Sequence, residues 1–559
     1  MNHLTRRLAA AGLVVLLLLI AFLGKFWKLS TSRSDLQDSA SSQQSAPEKT
    51  GPLRTVTSTI APGLHVLNNL GPSAAYVVET SDGLVLVDSG LEANGAAIAR
   101  DFRYRNLELA RLRAILLTHA HADHSQGARQ LRQLTGAKIY AGQGDVSVLR
   151  AGEPRDAFCS TFDMGKLQIH STEVDVELKG GETIEIADAR FHVIAAPGHT
   201  PGSICYTLER DGLRFFFGGD VVMTLTEGEG PFRRELGTYA AYLAPRYRGN
   251  AEDFLATIRR LQQLPTPDLV LPGHPRESLN FRITPMRWQS MLDKGVKDME
   301  TLIARYRADG RNFLDGAPKE LLGGLYYLGD IDGFAVYCLK TTSGLFLFDA
   351  PGGAKLIPFL EARMLDLGLV SAATTPPQSG EESKGKLPPI KAVLMTSCGP
   401  DTISGLPALL AKTGCKVVAA ESGWPTLKKF MPDQIATKTD RDLTAWFQVR
   451  SLPLSGPGPG ATAYVLNWRN RQVLVSGRVP IKATRAAEDA LLRSFSEKGA
   501  QPRYRQAVQT LRSIKPDLWL PLIPSDGQNA NLYDDEWKEI LSVNERLAEP
   551  IDPGPAAQE

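Results

Sequence analysis

The sequence predicts a layered α/β protein, built as two tandem lobes and preceded by an N-terminal membrane segment. Three observations carry that expectation. Apolar runs end repeatedly in short polar or glycine-rich breaks, the pattern of buried strands feeding loops. The framework of residues 53–310 recurs in residues 311–559 at a spacing of about 250 residues, which implies tandem copies of one fold. An apolar stretch from Leu8 to Gly24 precedes both. At 559 residues the chain has room for two or three domains with cores of their own.

The N-terminal stretch follows Arg6 and Arg7 and is flanked by Lys25, Phe26, Trp27 and Lys28. Its length sits at the short end for a spanning helix, with Trp27 placed to lie at the interface. Gly24-Lys25-Phe26-Trp27 lacks the small residues of a cleavage site, so residues 1–28 read as an uncleaved, single-pass signal anchor with the bulk of the chain extracytoplasmic. Residues 29–52 are rich in Ser, Gln and Asp without periodicity and read as a flexible linker. A net charge of +2 offers no argument for nucleic acid as a partner. Cys159, Cys205, Cys338, Cys398 and Cys415 are scattered, contain no Cys-x-x-Cys pair and imply no disulfide framework.

The chemistry concentrates at Thr-His-Ala-His-Ala-Asp-His, residues 118–124, directly after the apolar run Leu112–Leu117. His119 and His121 alternate along an extended backbone, while Asp123 and His124 begin a helix. Imidazole and carboxylate together suit zinc or a similar borderline metal. Of the nine histidines, His199 and His274 also stand after apolar runs, each in a Pro-Gly-His turn. Asp220 ends Phe215-Phe216-Phe217-Gly218-Gly219-Asp220, again a strand followed by a break. Four strand ends thus present a ligand type, and the carboxyl ends of strands are where open α/β layers build sites. His3, His65, His170 and His192 carry no such pattern and read as structural or solvent-facing.

In its ligand order, His-x-His-x-Asp-His at 119–124, then His199, Asp220 and His274, the chain resembles the metallo-β-lactamase-fold hydrolase superfamily, which includes glyoxalase II. The resemblance covers about residues 53–310 and implies an αββα sandwich with a dinuclear centre. His119, His121 and His199 would hold one metal, and Asp123, His124 and His274 a second, with Asp220 bridging. The implied cofactors are two zinc ions, with iron or manganese as alternatives. Asp220 points away from the true β-lactamases, and the short interval from Asp220 to His274 leaves no room for the extra domain of RNA-processing members. Val221, Val222 and Met223 stand where lactonases often carry a tyrosine.

The resemblance implies a metal-dependent hydrolase of a small-molecule thioester, ester or lactone. Two adjacent dications would lower the pKa of a shared water and supply hydroxide near neutrality, with Asp123 orienting it as the catalytic carboxylate. No Gly-x-Ser-x-Gly elbow offers a competing nucleophile. A phosphodiesterase or nuclease of the same superfamily is one alternative, and a membrane-tethered binding protein with vestigial catalysis is another. An iron redox role fits the ligands but finds no flavin or electron-transfer module.

The second lobe repeats the framework without the ligands. The hairpin from Tyr76 to Asp88 returns as Tyr337 to Asp349, and Leu112–Thr118 returns as Ile390–Thr396. Ser397-Cys398-Gly399-Pro400-Asp401-Thr402 replaces the histidine cluster; Pro457, Arg478 and Ile523 fall opposite His199, Asp220 and His274. Only Asp401 survives of the seven ligand positions. Asp88 is a candidate support for the metals, yet its counterpart Asp349 recurs where no ligand set stands, so loop capping fits equally. Trp288 and Trp537 lie in closing helices, capped by Thr284 and Asp534 respectively. Residues 371–388 read as an inserted loop. The second lobe is expected to stabilise the first, to shape the substrate cleft, or to mediate a protein partner or self-association. Residues 223–250, with Arg233, Arg234, Arg246 and Arg248, are the candidate substrate loop.

Overall fold

Strand-forming segments here are buried on both faces, and the side-chain period of two sends alternate residues into different layers. In Ala75–Thr80, Tyr76 and Val78 enter one core and Ala75 and Val77 another; in Gly83–Val87, Val85 and Val87 face inward, Leu84 and Leu86 outward. The computed structural model describes residues 58–549 apart from 69, 71, 153–169, 226–247, 276–279, 371–386, 432–446, 457, 483–490, 493, 496–498 and 525–527. The expected anchor (1–28), the linker (29–52) and nearly all of the 371–388 insert lie outside the described residues. Among the described residues no helix is long and apolar enough to cross a membrane.

Two sheets form the first lobe. One runs in chain order through β1 (Ser58–Ala61), β2 (Leu64–Leu67), β3 (Ala75–Thr80), β4 (Gly83–Val87), β5 (Leu112–Leu116), β6 (Lys138–Gly142) and β7 (Val176–Leu178). It is antiparallel through β4 and parallel from β4 to β7. The other comprises β8 (Thr183–Ile186), β9 (Ala189–Ala195), β10 (Ile204–Arg210), β11 (Leu213–Gly219) and β12 (Leu269–Pro272), with β12 parallel to β11. Val66, Tyr76, Val85 and Leu116 meet Phe191, Tyr206, Phe217 and Leu271 in the core between the sheets. Ile98, Phe102 and Leu131 cover the outer face of the first sheet, and Phe254, Ile258, Trp288 and Leu292 that of the second. These are the four layers of an αββα sandwich. His65 lies in β2, with Ser58–Ala61 paired ahead of it.

The second half follows the same plan. β13 (Lys319–Leu322), β14 (Leu325–Ile331), β15 (Phe334–Thr341), β16 (Gly344–Phe348), β17 (Ile390–Leu394) and β18 (Lys416–Val418) form one sheet in chain order. β19 (Val449–Pro453), β20 (Thr462–Trp468), β21 (Arg471–Gly477) and β22 (Leu518–Pro521) form the other. The likeness extends to single hydrogen bonds. Tyr76 donates to the Pro272 carbonyl and Tyr337 to that of Pro521; Tyr206 donates to Leu117 and Tyr464 to Met395. The Ile204 amide bonds Thr118 and the Thr462 amide bonds Thr396.

The long helix Pro285–Asp309, capped by Thr284 as expected, joins the halves. At its end Arg305 pairs with Asp535 at 2.8 Å and Tyr533 donates to Asp309 at 2.5 Å. Beyond it, the Leu314 amide bonds the Gln528 carbonyl. The closing helix Asp534–Leu547 has Tyr533, not Asp534, at its cap position, and no side chain caps it. Asp534 falls instead in the first turn, where its charge favours the helix dipole.

Asp88 and Asp349 both end the fourth strand of their lobe in the left-handed region, at φ 62° and 60°. Asp349 accepts the Thr396 amide at 2.8 Å and the Thr396 hydroxyl at 2.6 Å. Burial pushes its carboxyl up to about 7, against the opposing pull of Thr396 and Arg478. A folded-state pKa above the unfolded value penalises the ionised form, so this contribution to stability is whole in acid and lost as pH rises through about 7. Asp349→Asn is therefore expected to gain melting temperature relative to the parent chain, by several degrees, as pH rises from about 5 to about 8. A difference that stays constant across that range would refute the buried, high-pKa carboxyl.

Candidate metal centre

β5 makes its last ladder bond at Leu117 and then turns to the facing sheet. The Leu117 amide reaches Tyr140, and the Thr118 carbonyl accepts the Ile204 amide from the facing sheet. The chain then stays extended through His121 and turns into the short helix Ala122–Ser125, which carries Asp123 and His124 in its first turn. His199 follows β9, Asp220 follows β11 and His274 follows β12. All seven groups are buried, from fully enclosed His124 to His121 at 8% exposure.

Two ligand sets form. His119 Nε2 and His199 Nε2 lie 3.1 and 3.0 Å from His121 Nδ1. In the second set His124 Nε2 is 3.4 Å from His274 Nε2, and Asp123 Oδ2 is 3.4 and 3.5 Å from these two nitrogens. Asp220 stands between the sets. Its Oδ2 lies 3.3 Å from His199 Nε2, and its Oδ1 lies 3.1 Å from both His124 Nε2 and His274 Nε2. Within each of the triads His119/His121/His199, His119/His124/Asp220 and Asp123/His124/His274, the donor atoms lie within 4.8 Å of one another. Donors held about 2.0–2.1 Å from a tetrahedral ion sit about 3.3 Å apart, so these spacings match a coordination shell.

The outer nitrogens fix which inner nitrogen carries a lone pair. His124 Nδ1 donates to Asp88 at 2.8 Å, and His274 Nδ1 donates to the Pro72 carbonyl at 2.6 Å. Thr118 donates its hydroxyl to Asp88, so it accepts from His119 Nδ1 at 3.1 Å. In the neutral rings all three then turn an unprotonated Nε2 toward the centre. Asp123 Oδ2 and Asp220 Oδ1, both buried, accept no hydrogen bond. With neutral rings, lone pairs converging on lone pairs and orphaned carboxylate oxygens fit a cation.

The electrostatics agree. Burial pushes His199 down to about 3, and burial with the neighbouring imidazoles holds His119 well below the usual histidine range, so both are neutral near pH 7. For His124 and His274 burial pulls downward, but the carboxylates of Asp220 and Asp123, with Asp88 at His124, push them up. Burial would raise Asp123 and Asp220, yet His124 and His274 hold both below the ordinary carboxylate range. A dication held there would favour the neutral rings instead.

Every predicted ligand thus reaches one site. Asp88 does two jobs, capping Thr118 at 2.8 Å and holding His124. The remaining histidines behave otherwise. His65 pairs with Glu79 at 2.7 Å, His192 meets Thr183 at 3.0 Å, the His170 amide bonds Gln126, and His3 lies outside the described residues. Arg233, Arg234 and Arg246 of the candidate substrate loop also lie outside them. Sequence reading missed Asp145, which bonds three loop groups beside the histidines, and Ser73, which donates to the Asp123 carbonyl. In sequence, Gly142-Gln143-Gly144-Asp145 is a glycine-rich helix start, its one hint of close packing.

In the second lobe the equivalent place holds Asp401 paired with Arg478 at 2.5 Å. Among the described residues the groups able to hold a metal all lie in the first lobe. Pro457, opposite His199, lies outside those residues.

Comparison with known proteins bears on this region. The metallo-beta-lactamase superfamily description matches residues 68–274. A hydroxyacylglutathione hydrolase of Cereibacter sphaeroides is 27% identical over 171 residues, covering 31% of this chain and 51% of that protein. A probable metallo-hydrolase of Bacillus subtilis, YflN, is 27% identical over 240 residues, covering 40% of this chain and 88% of that one. Among solved structures, a subclass B3 metallo-beta-lactamase of Bradyrhizobium japonicum aligns at 22% identity and a TM-score of 0.33, covering 44% of this chain and 92% of its own. The chain spans about half the length of the hydroxyacylglutathione hydrolases it matches. With its four layers, its ligand order and this match, the segment 68–274 belongs to the metallo-beta-lactamase superfamily.

Proposed function

We propose that the chain is a hydrolase that works through two metal ions, zinc in the first instance, on a small-molecule thioester, ester or lactone. The observation that carries this reading is Asp220, whose carboxylate reaches His199 of one ligand set at 3.3 Å and His124 and His274 of the other at 3.1 Å. His119, His121 and His199 would hold one ion and Asp123, His124 and His274 the other. Such a pair supplies Lewis acidity and lowers the pKa of a bound water toward neutrality. The protein's part is to hold the nitrogens deprotonated through Asp88, Thr118 and Pro72 and to keep the carboxylates buried. Asp123 Oδ2, which accepts no hydrogen bond, would orient the attacking water. A thiolate leaving group departs without a proton donor, which suits a thioester. The hydroxyacylglutathione hydrolases among its relatives support a thioester as the first substrate to try.

On this reading residues 1–28 anchor the protein in a membrane, with the catalytic lobe outside the cytoplasm and the second lobe available to a protein partner. Deleting residues 1–28 should move the protein from the membrane fraction to the soluble one; unchanged fractionation would refute the anchor.

The purified protein is expected to carry about two metal ions per chain, and His121→Ala about one. Metal analysis that finds none in the parent chain would remove the basis of the proposal. Metal-loaded protein should hydrolyse at least one of a panel of thioesters, esters and lactones, and chelation should abolish turnover. Uniform inactivity toward that panel, with turnover of a phosphodiester, would transfer the assignment to that chemistry. Asp88→Asn should weaken metal binding by about 10–100-fold, because His124 loses the acceptor that fixes its tautomer.

A further inference from the structure

Asp145 is 1% exposed and sits in the first turn of the helix Gln143–Ala151. Its Oδ2 accepts the Ala120 amide at 2.9 Å and the Thr200 hydroxyl at 2.7 Å, and its Oδ1 accepts the Gly202 amide at 2.9 Å. Ala120 lies between His119 and His121, and Thr200 follows His199. One carboxylate therefore joins the two loops that supply all three histidines of the first set. Asp123, His124 and His274 are braced by other groups: Ser73, Asp88 and Pro72.

The approach of this helix to the His199 loop is backbone against backbone. A Cβ on Gly142 would fall 1.9 Å from the Gly202 carbonyl oxygen, one on Gly144 2.5 Å from Pro201, and one on Gly202 2.3 Å from the Asp145 nitrogen. Glycine at these positions lets the carboxylate reach both loops.

The second lobe shows what happens where the metal ligands are gone. By the register that pairs Leu112–Leu116 with Ile390–Leu394 and Lys138–Gly142 with the strand beginning at Lys416, Asp145 falls opposite Gly423. The close approach survives, since a Cβ on Gly423 would lie 3.1 Å from Gly460, the counterpart of Gly202. The carboxylate does not. The Cys398 amide, counterpart of Ala120, bonds the Pro459 carbonyl instead, and Cys398 Sγ lies against Gly423. Asp349, by contrast, persists opposite Asp88. The packing is retained for the fold, whereas Asp145 is lost together with the histidines.

We propose that Asp145 is the positioning residue of the three-histidine half-site, setting metal affinity there and leaving the Asp123/His124/His274 half-site unaffected. This rests on the two-metal reading above. In Asp145→Asn one oxygen becomes an NH2 group that faces amide donors, so the clamp fails without loss of volume.

The test is a chelator competition on the full-length protein loaded with cobalt(II), reading metal per chain, the visible absorption spectrum and the melting temperature without metal. The parent chain should bind two ions. Asp145→Asn should weaken one of them by about 10–100-fold and leave the other unchanged. His274→Ala should spare the ion that Asp145→Asn loses, and the double variant should lose both. Thr200→Val, which removes one of the three bonds, should weaken the same ion to a smaller degree and serves if Asp145→Asn does not fold. Two ions of parental affinity in Asp145→Asn, or equal weakening of both, would overturn the assignment of Asp145 alone. No metal in the parent chain would overturn the two-metal reading itself.

Discussion

Seven buried imidazole and carboxylate groups share one small volume, and that constraint organises the rest of the first lobe. Leaving a buried polar atom without a partner costs about 1–3 kcal/mol, a sizeable share of a domain's stability of about 5–15 kcal/mol, and Asp123 Oδ2 and Asp220 Oδ1 are two such atoms. Several of the ligands are braced from behind by groups that serve the fold as well. Asp88 holds His124 and the Thr118 amide together, and the Pro72 carbonyl fixes His274. The interior is left with acceptors aimed at acceptors, an arrangement that neutral side chains alone do not resolve.

The duplicated lobe separates what the fold requires from what the metal requires. The tyrosine bonds to the β12 and β22 ends, the left-handed aspartate after the fourth strand and the close contact at Gly202 and Gly460 occur in both. The histidines, Asp220 and Asp145 occur in one. Asp88 thus belongs to both classes at once: its cap on Thr118 is architectural, and its bond to His124 is specific to the first lobe. Neither role could be assigned from a single copy of the fold.

Much of this was legible in the sequence, for identifiable reasons. Ligands at strand ends are written as residue types after apolar runs, so the residues from His119 to His124, and His199, Asp220 and His274, could be read before any fold was known. The repeat was legible because strand spacing and the Tyr and Asp positions are fixed by hydrogen bonds that both lobes make. Asp145 was not legible. An acidic residue at a helix start ordinarily faces solvent and favours the helix dipole, and only the three-dimensional approach of Gly142 and Gly144 to Pro201 and Gly202 buries it. Asp534 misled for a related reason: its type suits a cap, but Tyr533 holds the extended cap conformation one residue earlier.

The ion pair at Arg478 and Asp401 gives the order of dependence between fold and centre. Arg478 stands where Asp220 would bridge, and its guanidinium pairs with the one surviving ligand-type carboxylate. A positive charge there disfavours a dication at the position equivalent to Asp220. That lobe nonetheless keeps both sheets, with Tyr327, Tyr337 and Tyr464 fully buried between them and Trp519 behind the second. Its framework stands on apolar packing, backbone bonding and side-chain caps such as Asp349 on Thr396. The same framework in the first lobe therefore needs no metal to form: the strands and their caps bring the ligands together, and a cation bound there would answer a charge problem that the fold has already created.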